Sequence, residues 1–141
     1  MTHSHPIRRA RPEDVPVIQA LMAPEVARGT VLPRAVQPED FLIGEAACAA
    51  LTAWSSTVVE LGSVVSQRPG MGTLVVEAAC AEARARGFKQ VVVLTALTPW
   101  FLRRGFVVAN GEELQGLKAS HCAGCSRAFG CAQVLMVRHV D

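Results

Sequence analysis

Val58-Val59-Glu60-Leu61-Gly62-Ser63-Val64-Val65-Ser66-Gln67-Arg68-Pro69-Gly70-Met71-Gly72-Thr73 is the stretch on which the reading of this chain turns. Val58 to Val65 is rich in β-branched residues and reads as a strand. Gln67 to Gly72 is a short loop with two glycines. From Thr73, apolar residues through Leu74, Val75, Val76, Ala78 and Ala79 predict a helix that runs to Arg86 and stops at Gly87. Glycines at the mouth of a helix let backbone N–H groups approach an anion with no side chain in the way. The helix N-terminus adds unpaired N–H groups and a partial positive charge. The stretch therefore predicts a pyrophosphate cradle over Gly70, Met71, Gly72 and Thr73, and with it a nucleotide-containing cofactor.

Working outward, Gln90 leads into Val91-Val92-Val93-Leu94-Thr95, a run expected of a strand buried on both faces. Pro99 opens a short helix, Trp100 to Arg104, stopped by Gly105. Phe106 to Ala109 is a strand, Asn110-Gly111 a turn signal, and Gln133 to Arg138 a last strand. On the N-terminal side, Ile7 to Ala10 is a short strand. Val17, Ile18, Leu21 and Met22 line one face of a helix, and Pro24 to Gly29 reads as a second short helix. Phe41–Gly44 and Cys48–Trp54 are two strands with a very tight connection. The order predicts an α/β fold, a single domain over residues 1–141 with a mixed, largely antiparallel sheet and with residues 1–5 disordered.

Composition narrows the function classes. The 141 residues suffice for one core, and half of them are apolar. A net charge of +2, with only isolated basic pairs, gives no support to a nucleic-acid or membrane-surface role. No apolar run spans a bilayer, and Met1 to Pro6 lacks a signal-peptide core, so the expected location is the cytoplasm. The five cysteines are then expected as reduced thiols or metal ligands.

The element order, with Gln67, Gly70 and Gly72 between the fourth strand and the following helix, resembles the GCN5-related N-acetyltransferases over roughly residues 6–140. Finer features resemble the short bacterial N-acetylglutamate synthases of arginine biosynthesis. These are Gly29-Thr30-Val31-Leu32-Pro33-Arg34, Glu60-Leu61, Leu94-Thr95, Trp100-Phe101 with Gly105-Phe106, and Cys122-Ala123-Gly124-Cys125 with Cys131 beyond. The resemblance implies an enzyme that moves acetyl from acetyl-CoA to a small amine, with L-glutamate as the leading acceptor. It implies that Gln67, Arg68, Gly70, Met71, Gly72 and Thr73 face the diphosphate and that Val64 and Val65 offer a strand edge to the pantetheine arm. Arg34 is implied as the fork for a substrate carboxylate, with Lys118 or Arg127 as a second cation. A homodimer through sheet edges or late strands also fits the family. The tight second hairpin and the short Val65-to-Gln67 segment depart from the family pattern.

The chemistry asks for a base, because the attacking amine must be neutral. Glu60 is the single carboxylate inside an apolar strand, where burial would raise its pKa, and it is the candidate base. The sequence has no tyrosine. Phe101 stands where many relatives carry one, so a cysteine, Thr95 or water could protonate the leaving thiolate, or it could leave as the anion. Cys122-x-x-Cys125 has zinc-knuckle spacing, with Cys131, His121 or His139 as further ligands, but a closed site needs four regular ligands. The preferred reading is no metal and reduced thiols packing a loop at about 118–131. Cys48 and Cys80 read as core residues, and Trp54 and Trp100 as packing residues. Two other readings stay open: the same chemistry on another amine, and a non-catalytic acyl-CoA-binding or metal-bound regulatory module.

Overall fold

The computed structural model describes residues 7–123 and 133–141. Seven strands form one sheet: β1 Ile7–Arg9, β2 Phe41–Gly44, β3 Ala47–Ala53, β4 Val58–Ser66, β5 Gln90–Thr95, β6 Val107–Val108 and β7 Val134–His139. Their spatial order is β1-β2-β3-β4-β5-β7-β6. Neighbours are antiparallel except β4 and β5, which are parallel. Four helices complete it: α1 Val15–Arg28, α2 Met71–Ala85, α3 Thr98–Leu102 and α4 Glu112–Cys122. The mixed α/β class read from the sequence is the one observed. Among the described residues no helix is long and apolar enough to cross a membrane.

Strand alternation divides the core between the two faces. On one face α2 lays Val75, Val76, Ala79 and Ala83 over Leu51, Val59 and Val91, with Phe101 and Phe106 closing one side. On the other face α1 packs Ile18, Leu21 and Met22 on Phe41, Ile43 and Val65. On that same face Leu114 of α4 packs on Val58, Val92 and Leu135. The α1 and α4 clusters are separate, and Glu60, two residues along from Val58, lies on this divided face.

Four local expectations are corrected. The α1 helix does not break near Pro24 but runs unbroken from Val15 to Arg28. Proline costs a helix one internal hydrogen bond; here Ile18, Leu21 and Met22 are buried before it and Val26 packs against the same cluster after it, so packing holds both halves. The α2 helix begins at Met71 rather than Thr73, because Gly70 takes the left-handed conformation (φ 83°) at its N-cap and turns the chain directly into the helix. Residues 118–122 are not loop but the last part of α4. Asn110-Gly111 is not a hairpin turn; Gly111 is extended and caps α4. Leu114, Leu117 and His121 keep helical spacing, and Glu112 and Glu113 favour the positive end of the helix.

The N-terminal segment is tied down by charge. Asp14 accepts two hydrogen bonds from Arg8, at 2.7 and 2.9 Å, and one from the Arg11 N–H at 2.7 Å. Those donors hold its carboxyl at about 2, well below the usual carboxylate range.

Candidate active site

The site begins with a fork in the sheet. β4 pairs with β5 only at Val58–Gln90, Val59–Val91 and Glu60–Val92. Beyond that point β4 continues to Ser66 beside β3, while Val93 to Thr95 pair with β7 alone. Among the described residues the backbone of β4 that faces β5 thus has no strand partner past Glu60, and Val64 and Val65 lie on this open edge. An extended ligand with amide groups can bond such an edge as an added strand would.

A bulge sits on the same stretch. Cys48 is opposite Val65 and Ala50 is opposite Gly62, so Ala49 faces both Ser63 and Val64. The extra residue is accommodated by Ser63 in the left-handed region (φ 50°). Bulges re-aim the backbone groups of a strand. Here the re-aimed groups are those at the open edge.

The β4 strand leads into the glycine loop at the N-terminus of α2. Leu74 N–H bonds to the Gly70 carbonyl and Met71 N–H to the Arg68 carbonyl. The amides of Gly72 and Thr73 belong to the first turn, which has no intrahelical acceptor. Gly72 is needed for space: a Cβ there would meet Cζ2 of Trp100 at 3.3 Å and the Ser66 Cβ at 3.7 Å. Trp100 therefore packs beneath the loop, with the Arg104 guanidinium 3.5 Å from its ring centre. Arg104 also donates two hydrogen bonds to the Thr73 hydroxyl, at 3.1 and 2.7 Å, and fixes the first turn of α2 to the end of α3. The sequence reading missed Arg104; its place next to Gly105-Phe106 gave no sign of this contact.

The tight β2–β3 hairpin braces the loop from the other side. Gln67 N–H donates to the Ala46 carbonyl at 2.8 Å, and Arg68 is ion-paired with Glu45. The Arg68 side chain is exposed and paired with that carboxylate on the hairpin. The Ser66 hydroxyl donates to the Arg68 carbonyl at 2.9 Å.

Glu60 sits where the sheet forks. Its carboxylate Oε1 accepts from the indole Nε1 of Trp54 at 3.3 Å and lies 3.1 Å from Nε2 of His121. The two rings stack with centroids 4.8 Å apart. Burial pushes the Glu60 carboxyl above the ordinary glutamate range, opposed by the His121 imidazole, the Trp54 hydrogen bond and the charge of Arg34. A half-sequestered carboxylate with an upward shift is suited to accept a proton near neutral pH. Trp54 is thus a partner of the candidate base as well as a packing residue. His121 lies beside Glu60.

Arg34 lies on the same face. It donates weakly to the Thr52 hydroxyl and to Asp40, each at 3.4 Å, and its guanidinium sits 5.2 Å from the Phe41 ring centre. Thr52 is the cross-strand partner of Glu60. Sequence positions 34, 52, 54, 60 and 121 therefore converge on one opening between α1 and α4. The stem of Arg34 also lines a shallow apolar cavity of about 330 Å³ with Met22, Val26 and Pro33 of the α1 side.

Two other groups are placed plainly. Phe101 is buried edge-on to Phe106 and Trp100 and contributes packing only. The Thr95 hydroxyl is buried and accepts the Leu97 N–H at 2.8 Å. Lys118 lies on α4; Arg127, Cys125 and Cys131 lie outside the described residues. Among the described residues no group of three or more His, Cys, Asp or Glu could hold a metal ion.

No protein-family model matches the chain. Among curated proteins it is 28% identical over 137 residues to the amino-acid acetyltransferase of Pasteurella multocida, covering 86% of this chain and 31% of that protein. It is 25% identical to an uncharacterised N-acetyltransferase of Chlorobaculum tepidum, covering 94% of each. Among solved structures it superposes on the N-acetylglutamate synthase of Neisseria gonorrhoeae complexed with coenzyme A and N-acetyl-glutamate. The TM-score is 0.79 at 26% identity, over 100% of this chain and 36% of that one. The chain thus spans about a third of the length of the amino-acid acetyltransferase and the synthase that it matches. The forked sheet, the bulged fourth strand and the glycine-capped helix are the fold of the GCN5-related N-acetyltransferases, and within that superfamily the chain resembles the N-acetylglutamate synthase branch.

Proposed function

We propose that this chain transfers an acetyl group from acetyl-CoA to the amine of an amino-acid-like small molecule, with L-glutamate the leading acceptor. The observation that carries the reading is the fork of β4 from β5 immediately past Glu60, next to the free amides of α2. The pantetheine arm would bond the open edge near Val64 and Val65, and the diphosphate would lie against Gly70, Met71, Gly72 and Thr73. That arrangement brings the thioester to the bulge, beside Glu60. A β4 backbone N–H there would take the developing oxyanion.

Glu60 would remove the proton from the acceptor ammonium, directly or through water. The Arg34 fork would bind a carboxylate of the acceptor. Among the described residues its hydrogen bonds are two long ones, so a carboxylate can replace Asp40 as its partner. The relatives support this choice of acceptor: the Neisseria synthase was solved with N-acetyl-glutamate, and the Pasteurella protein is an amino-acid acetyltransferase.

The test is release of coenzyme A thiol from acetyl-CoA with L-glutamate, L-glutamine, L-aspartate and simple amines, for wild type and Glu60→Gln. Glutamate-dependent release that falls about a hundredfold or more in the variant is the expected result. Release with another amine only would keep acetyl transfer and remove glutamate. Binding of acetyl-CoA with no release on any amine would replace the enzyme by a binding module.

A further inference from the structure

The two oxygens of Glu60 have different surroundings. Oε1 accepts from Trp54 Nε1 at 3.3 Å and is paired with His121 Nε2 at 3.1 Å, a charged pair when the imidazole is protonated. Oε2 has no donor among the described residues and extends over Gly62, where a Cβ would lie 4.0 Å from it. Gly62 is the next residue on the same face of β4, and it leads into the bulge at Ser63. With no side chain at Gly62, the floor between Oε2 and the bulge is open. The donors come from separate parts of the fold: Trp54 follows β3, and His121 is in the last turn of α4. Their rings stack on each other, so each restrains the other.

We propose that Trp54 and His121 are positioning residues that clamp Oε1 of Glu60 and hold Oε2 forward over Gly62 as the atom that takes the acceptor's proton. The inference rests on the reading of Glu60 as the base of acetyl transfer. In that step an N–H bond of the acceptor ammonium breaks, its electron pair stays on nitrogen, and the proton forms an O–H bond at Oε2. Nitrogen then bonds to the thioester carbonyl carbon, the carbon–sulfur bond breaks with its electron pair leaving on the thiolate, and the second N–H bond breaks as its proton passes to that thiolate through water, giving the amide and the coenzyme A thiol. A carboxylate free to rotate would present either oxygen at varying distance, and small misplacements of a reacting group are costly in rate. The charged and titratable groups facing Glu60 from the described elements are His121 on α4 and Arg34 in the loop after α1; Trp54 adds a neutral donor. The donors favour the carboxylate form, so their removal moves the Glu60 titration upward.

Two measurements test the clamp. The first needs no turnover. The sequence has two tryptophans, so the indole N–H region of a ¹H–¹⁵N spectrum holds two side-chain signals, and Trp54→Phe assigns them. His121→Phe keeps a ring beside Trp54 but removes the second donor. In that variant the Trp54 signal should follow a single titration, and a combined Glu60→Gln change should flatten it. Its midpoint should lie above the Glu60 midpoint read by carboxyl ¹³C in wild type. A flat Trp54 signal in His121→Phe, or an unmoved midpoint, overturns the clamp.

The second measurement is kinetic. Trp54→Phe and His121→Phe should each lower kcat about tenfold, with KM for acetyl-CoA within about twofold. His121→Gln, which keeps a side-chain N–H, should recover most of the loss. Equal losses in the Phe and Gln variants, or a change confined to KM, overturn it. Expected indole titrations with no wild-type turnover on any amine would uphold the clamp and remove the acetyl-transfer reading.

Discussion

At the scale of the residue, Glu60 combines two opposed demands. Burial disfavours its charge, while Trp54, His121 and Arg34 partly restore it. The net shift is upward, which fixes the sign of two effects. Activity that needs the carboxylate falls as pH drops through its raised pKa, so the acid limb of kcat/KM should lie above the ordinary glutamate value of 4.5. Stability runs the other way. A carboxyl with a raised folded pKa supports the fold below the unfolded pKa and loses that support as pH rises through the folded one. Glu60→Gln should therefore melt at a higher temperature than wild type at pH 8, with the gap narrowing toward pH 5, in paired thermal melts. Cysteines at the same scale behave in a simpler way. Burial pushes the thiol of Cys48 up to about 12 and that of Cys80 up to about 11. Neither offers thiolate at neutral pH. Mass-mapped alkylation of the native protein should leave both unmodified, and denaturant should expose both.

At the scale of the element, β4 carries local strain beside the open edge. Ser63 occupies the left-handed region, and among the described residues its side chain makes no hydrogen bond there. Such a conformation costs a non-glycine residue about 1–2 kcal/mol. Ser63→Gly should stabilise the protein by about 1 kcal/mol or less, because glycine's greater freedom in the unfolded chain offsets part of the relief. Chemical denaturation checks this. The sequence announced β4 and α2 through alternating β-branched residues and a glycine loop. It did not announce the bulge, since Gly62-Ser63-Val64 reads as ordinary strand and the bulge exists only against Ala49 of a neighbouring strand. Nor was α4 visible, because Asn110-Gly111 is a stronger local turn signal than Leu114 and Leu117 are a helical one.

At the scale of the whole molecule, the sheet separates two jobs. One face is filled by α2, Phe101 and Phe106 into a continuous core. The other is covered by α1 and α4 in two separate clusters, and the opening between them holds Glu60 and Arg34. Stability and site are thus drawn from opposite faces. Phe106 is fully buried and edge-on to Phe101. Phe106→Ala should cost about 3–5 kcal/mol, a large part of the roughly 5–15 kcal/mol that holds a domain together. Thermal or denaturant unfolding of the variant is the check.

What the sequence by itself determined were the features written in contiguous residues. The strand–glycine–helix run marked the amides at the start of α2, and a lone carboxylate in an apolar strand singled out Glu60. Period and turn chemistry act over a few residues, so they survive in one dimension. The tertiary structure alone decided which distant side chains meet. Trp54, adjacent in pairing to the strand of Glu60, and His121, some sixty positions along the chain, converge on one carboxylate oxygen. Arg104 likewise closes on Thr73 across thirty-one positions. Such meetings depend on strand register and helix placement, which are set by packing over the whole sheet and leave no local mark.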